Sequence, residues 1–136
     1  MKNILKNRKG YMLVEIVLAS AIAFGIAAYM INITIKVKNK NDDMLVEMQA
    51  ATDRAIIINK LMQYLESEQD AFTCNIGKNS NNQLNYGSKL LDNVSSYVKI
   101  GNVQCNKTTS DIKINIELRV PQLPDKNFDV LINYVL

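Results

Sequence analysis

The 136-residue chain contains no histidine. That absence removes Ser-His and Cys-His nucleophile pairs, and histidine-ligated metal sites, in one step. The two cysteines, Cys74 and Cys105, are too far apart for a C-x-x-C motif, and the five glycines are scattered rather than gathered into a phosphate-binding loop. On this inventory no enzyme activity, cofactor or metal site is expected. Prolines number only two, Pro121 and Pro124, so no proline kink is expected in a helix that precedes them. Acids are missing from residues 1–10, where Lys2, Lys6, Arg8 and Lys9 hold four of the 16 basic side chains. The remainder carries 12 basic against 13 acidic residues. The net charge of +3 therefore belongs to that basic leader, and it is not read as a nucleic-acid footprint.

After the leader comes a long apolar run. From Tyr11 to Ile35 its only strongly polar interruptions are Glu15, Ser20, Asn32 and Thr34. As a helix this stretch would span about 37 Å, enough to cross the hydrocarbon core of a lipid bilayer. Gly25 and the alanines at 19, 21, 23, 27 and 28 are small residues that permit close helix packing. An ordinary lipid-facing anchor accommodates them equally well. Glu15 is the anomaly, because an ionisable group at membrane depth is costly and calls for a partner.

Three readings of this region compete. A secretory signal peptide would have a short apolar core before a small-x-small cleavage site. Ala21-Ile22-Ala23 supplies such a site, but the apolar run continues well past it. A plain single-pass anchor fits the length and leaves Glu15 unexplained. The third reading rests on the stretch Lys9-Gly10-Tyr11-Met12-Leu13-Val14-Glu15. It resembles the processing site of type IV prepilins and pseudopilins: a short basic leader ending in glycine, then an aromatic residue, a small polar residue, two aliphatics and a glutamate. Met12 departs from the usual Thr or Ser, and Tyr11 stands where Phe is commoner. The resemblance covers about the first 35 residues.

That resemblance implies a prepilin peptidase as a partner, cutting between Gly10 and Tyr11 on the cytoplasmic side and methylating the new amino group of Tyr11. A residue without Cβ suits the cut, since it lets a protease approach the backbone. The cations Lys2, Lys6, Arg8 and Lys9 would hold the leader in the cytoplasm, although Lys36, Lys38 and Lys40 on the far flank nearly balance them. Glu15 then has two candidate roles. After cleavage it would lie in the first helical turn, where a carboxylate suits the positive dipole end and faces its own terminal amine. The family implies instead that it attracts the amine of a neighbouring subunit and sets axial register in the filament, a use for which buried charge pairs are well suited.

Beyond the polar break at residues 39–43, Met44, Met48, Ala51, Ala55, Ile58, Met62 and Leu65 recur at steps of four and three. This predicts an amphipathic helix whose stripe is covered by a sheet. Joined to the apolar run, residues 11–66 would make a rod of about 84 Å. Residues 74–88, rich in Asn, Gly and Ser, read as loop, and Ser88 as the cap of a short helical turn over Lys89–Asp92. Residues 111–120 alternate polar and apolar without error, the pattern of a half-buried strand. Ser96–Cys105 and Phe128–Leu136 read as strands on either side of it, with Pro121 and Pro124 in the connection. Short connections favour an antiparallel meander. Cys74 and Cys105 are expected outside the cytoplasm, where a disulfide between them would persist; two buried free thiols are the alternative. Asp125 and Asp129 are too few for a calcium loop.

The expected fold class is thus α+β: a long N-terminal helix whose second half packs on a small antiparallel sheet, which is also the pilin architecture. The expected organisation is a cleaved leader (1–10), a transmembrane or filament-core helix (11–36), an amphipathic continuation (37–66) and a globular head (67–136). The expected function is a structural subunit, of minor type, in a type IV pilus or pseudopilus serving a surface filament, secretion or DNA uptake. Its partners would be other pilin subunits, the assembly platform of the cytoplasmic membrane, and the bilayer itself, with the head outside the cell. The alternative is a membrane-anchored or signal-peptide-secreted extracellular binding module.

Overall fold

A computed structural model describes residues 2–68, 71–91 and 94–136, with side chains from Tyr11 onward. The architecture is α+β: one N-terminal helix followed by two small antiparallel sheets. Helix α1 is Lys2–Glu68; the strands are β1 (Ile76–Lys78), β2 (Leu84–Tyr86), β3 (Lys89–Leu91), β4 (Lys99–Lys107), β5 (Asp111–Arg119) and β6 (Val130–Val135). The chain divides into two compact units, Met1–Asp42 and Asp43–Leu136.

In the first unit the described side chains are all exposed, including Leu13, Val17, Phe24, Tyr29 and Ile31. This helix is long and apolar enough to cross a membrane. Two of the polar interruptions return their hydroxyls to the helix itself. Ser20 Oγ donates to the Val17 carbonyl (2.9 Å), and Thr34 Oγ1 donates to that of Met30 (2.8 Å). Neither residue therefore presents an unmet donor to lipid. Ser20 and Thr34 are no obstacle to a membrane span.

In the second unit the helix carries the core. Its buried side chains are Val46, Ala50, Asp53, Ile57, Leu61, Tyr64 and Leu65. The periodicity of the sequence pointed to a different stripe. Met44, Met48, Ala51 and Ala55 are in fact exposed, Ile58 and Met62 are half-buried, and Leu65 alone is fully buried. Two physical reasons account for the rotation. The true face brings larger surfaces, Val46, Ile57, Leu61 and Tyr64, in place of two alanines, and it contains a carboxylate that is satisfied only by tertiary contact. Tyr64 meets Phe72 and Tyr86 edge-on, with ring centroids 5.5 Å apart in both pairs.

The expected single sheet is two. Strands β4, β5 and β6 form the anticipated antiparallel meander, in that order. Ile112, Ile114, Ile116 and Leu118 of β5 point into the core, joined by Ile100 of β4 and by Val130 and Ile132 of β6. Strand β4 starts at Lys99, later than the expected Ser96, because Ser96 and Tyr97 form a turn. Between Ile100 and Val103 the register slips: Gly101 and Asn102 face Glu117 as a β-bulge. A Cβ on Gly101 would collide with the Glu117 carboxylate.

The second sheet, β1-β2-β3, lies where loop and a helical turn were expected. Residues 89–91 are strand rather than helix, and Asp92 lies outside the described residues. Side-chain hydrogen bonds support this asparagine-rich segment. Asn79 Oδ1 accepts the N–H groups of Asn81 (3.0 Å) and Gln83 (2.9 Å), shaping the β1–β2 connection. Asn82, at φ 62°, uses its amide as a surrogate strand: its Oδ1 accepts from Ile100 N (2.8 Å) and its Nδ2 donates to Val98 O (3.1 Å). At the β2–β3 turn Gly87 has φ 60°, and a Cβ there would stand 2.5 Å from the Tyr64 hydroxyl. Glycine is required there twice over, by the backbone and by the close approach.

Candidate functional site

The candidate site has two parts, one in each unit. The first is the stretch around Gly10–Tyr11 and Glu15. The side chains of Lys2, Lys6, Arg8 and Lys9 lie outside those described, as does the environment of Gly10. The backbone is helical through the proposed cut, since α1 begins at Lys2. A protease needs extended substrate backbone, so helix must open there. Glycine makes this easier, because it costs a helix interior about 1 kcal/mol relative to alanine. Tyr11 is 79 % exposed, the highest value among the described large apolar side chains.

Glu15 is also exposed and, among the described residues, has no hydrogen-bond or ion-pair partner. Helix α1 runs for more than three turns before Glu15, so the residue lies away from the helix's N-terminal end. Around it, Leu13, Val14, Val17 and Leu18 are all more than half exposed. The surface on offer is apolar, with one carboxylate in it.

The second part is in the head. Cys74 and Cys105 have sulfurs at bonding distance and Cα atoms 5.6 Å apart, within the range of a disulfide. The link joins the segment after the helix to β4, closing a loop with a separation of 31 residues. Lys107 Nζ donates to the Phe72 carbonyl (2.9 Å) beside it. Lys126 pairs with Glu47, tying the Pro121–Asn127 segment to the helix.

One contact was not anticipated from the sequence. Asp53, 1 % exposed, accepts from the backbone N–H of Ser95 (3.1 Å), from the Ser95 hydroxyl and from the Gln49 amide (3.1 Å). The carboxylate thereby fixes the segment leading to β4 against the helix. A signal was present: Asp53 sits in the series 46-50-53-57, on what is otherwise an apolar face.

Two further charge pairs lie in the head. Arg119 donates to both oxygens of Glu117 (2.6 and 3.1 Å), and the Asn102 N–H adds a third bond (3.1 Å). Arg119 first, and then that N–H, hold the Glu117 carboxyl below its ordinary range. The Asp111 carboxyl is likewise lowered, chiefly by the Thr108 hydroxyl and further by Lys113, 3.3 Å away. A groove of about 590 Å³ runs beside β5 and the proline-containing connection, lined by Lys99, Glu117, Arg119, Leu123, Asp125 and Lys126. Asp129 uses Oδ1 to accept from Leu118 N (3.1 Å). Among the described residues no three His, Cys, Asp or Glu side chains gather as metal ligands. Comparison with known protein families, with curated proteins and with solved structures gives no match.

Proposed function

We propose that the chain is a prepilin-type structural subunit, processed between Gly10 and Tyr11 and assembled into a filament or pseudopilus through its N-terminal helix. The observation that carries this reading is the order of parts at the N-terminus. A basic leader, Gly10, an aromatic, two aliphatics and Glu15 stand in order at the start of a helix whose apolar side chains from Tyr11 to Asp42 are all exposed. Further support comes from the α+β head with its cysteine pair at bonding distance, which suits a domain outside the cytoplasm. On this reading Glu15 contributes assembly register, and the head contributes whatever the filament presents.

The test separates processing from assembly. In a host that supplies prepilin peptidase, replacing Gly10 with a bulky residue such as Leu should leave full-length protein in the membrane. Glu15→Ala should be cut normally but recovered at reduced level in sheared filaments or in crosslinked subunit ladders. Normal incorporation of Glu15→Ala would sink the register role, and normal cutting of Gly10→Leu would sink the processing site.

A further inference from the structure

The outer face of the β4-β5-β6 sheet has a composition that strand chemistry does not explain. Asn102, Gln104 and Asn106 of β4, Asn115 of β5 and Asn133 of β6 all point away from the core and are exposed. The register sets them in rows across the sheet. Gln104 lies opposite Asn115, which lies opposite Leu131; Asn106 lies opposite Lys113, which lies opposite Asn133. Asparagine is among the residues most depleted in strands, whereas threonine is the usual solvent-facing choice. Four asparagines and a glutamine on one face run against local preference, and such departures are expected where a surface has a task.

These amides differ from those of Asn79 and Asn82. Asn79 and Asn82 spend their side chains on backbone partners. By contrast, the side-chain amides of Asn102, Gln104, Asn106, Asn115 and Asn133 make no hydrogen bond among the described residues. Each carries an acceptor oxygen and two N–H donors on one planar group. The face also carries two shallow, open depressions. A depression of about 390 Å³ is lined by Gln104, Asn106, Lys113, Asn115, Leu131 and Asn133. A second of about 220 Å³ shares Gln104 and Asn115 with it and extends to Asn102, to Glu117, which Arg119 pairs, and to Asp129, whose Oδ1 accepts from Leu118 N. Together they reach the size at which small-ligand sites begin.

We propose that this face binds a neutral, polyhydroxylated ligand of the carbohydrate class. Hydroxyls that both donate and accept match amides that do the same. Leu131, 72 % exposed on the edge strand β6 beside Asn115, offers the apolar surface on which the C–H side of a sugar ring would rest. The other classes fit less well. Lys113 is paired with Asp111 at 3.3 Å, leaving no free cation on the floor for a phosphate backbone or an acidic lipid. A protein partner would require aromatic or clustered aliphatic anchors, whereas Leu131 and Val135, the exposed aliphatics of β6 on this face, stand apart with Asn133 between them. The inference is independent of how the N-terminus is processed.

The test uses the full chain, isotope-labelled, in micelles of a detergent without a sugar headgroup. Maltotetraose and N-acetylchitotetraose serve as neutral probes, and a heparin tetrasaccharide as the anionic one. At least one neutral probe should shift the side-chain amide signals of these five residues saturably, with an affinity of about millimolar. Asn115→Thr and Gln104→Thr, which restore ordinary strand chemistry, should each weaken that binding roughly tenfold while near-ultraviolet circular dichroism stays unchanged. The proposal is overturned if neither neutral probe gives a saturable shift, or if both variants bind as the parent does. Stronger binding of the anionic probe at these signals overturns it too. So do shifts that grow with protein concentration in the absence of sugar, which would make the face a contact between copies of the chain.

Discussion

Replacing Asp53 with alanine tests why the helix turns the face it does toward the sheets. The carboxylate is 1 % exposed and holds the Ser95 N–H, the Ser95 hydroxyl and the Gln49 amide. Hydrogen bonds to a charged group contribute about 1.5–3 kcal/mol each, and a buried donor left unmet costs about 1–3 kcal/mol. The Gln49 side chain can turn to solvent, but the backbone N–H of Ser95 cannot leave. A loss of about 2–4 kcal/mol is expected for Asp53→Ala, and about 1.5–3 kcal/mol for Ser95→Ala, which removes one hydrogen bond to the carboxylate. The double variant should cost less than the sum by at least ~1 kcal/mol, because the two residues share one network. In a domain of this size each kcal/mol moves the melting midpoint by roughly 4–8 °C. Thermal unfolding in micelles, followed by the near-ultraviolet signal of Tyr64 and Tyr86, should therefore show a fall of more than ~10 °C for Asp53→Ala. A midpoint within a few degrees of the parent, or strict additivity in the double variant, would refute the reasoning.

Ile57→Ala should destabilise the head by about 2–5 kcal/mol, since Ile57 is fully buried, whereas Met48→Lys on the exposed side should stay within about 0.5 kcal/mol; equilibrium denaturation of both decides which face is buried. Reducing the Cys74–Cys105 link should lower stability by about 3–4 kcal/mol in the chain-entropy account, read as a shift of the same unfolding midpoint with and without reductant. Glu117, held low by Arg119 and the Asn102 N–H, should contribute stability above the ordinary carboxyl range and lose it only as the pH falls through its depressed folded value. A side-chain carboxyl titration by NMR should show its midpoint rising toward the ordinary value in Arg119→Ala. An unchanged midpoint would show that the guanidinium is not its cause.

Different parts of this structure were legible in the sequence to different degrees, and for physical reasons. Strand β5 was plain, because Ile112, Ile114, Ile116 and Leu118 alternate with polar residues over its full length, and one buried face enforces that period. The helix was equally plain as an element, but its buried side was not. From Met44 to Leu65 it is apolar on several faces, so periodicity alone favoured the series without a charge. Asp53 is acceptable in the core only because Ser95, distant in sequence, supplies its donors. The sheet β1-β2-β3 was hidden by composition. Asn79, Asn82 and Gly87 are turn-forming residues that mask the short strands between them, and the tie from Asn82 to Val98 and Ile100 is tertiary. At the N-terminus the reverse holds. The motif from Lys9 to Glu15 is readable in sequence, while the structure shows only an exposed Glu15 carboxylate without a partner among the described residues.

The central claim concerns that partner, which cleavage would create. The most direct measurement is the mass and sequence of the N-terminus of the protein extracted from membranes of cells that contain a prepilin peptidase. The account predicts a chain beginning at Tyr11 and carrying a methyl group on its amine. A chain that still begins at Met1 under those conditions, or one that begins after Ala23, would contradict it.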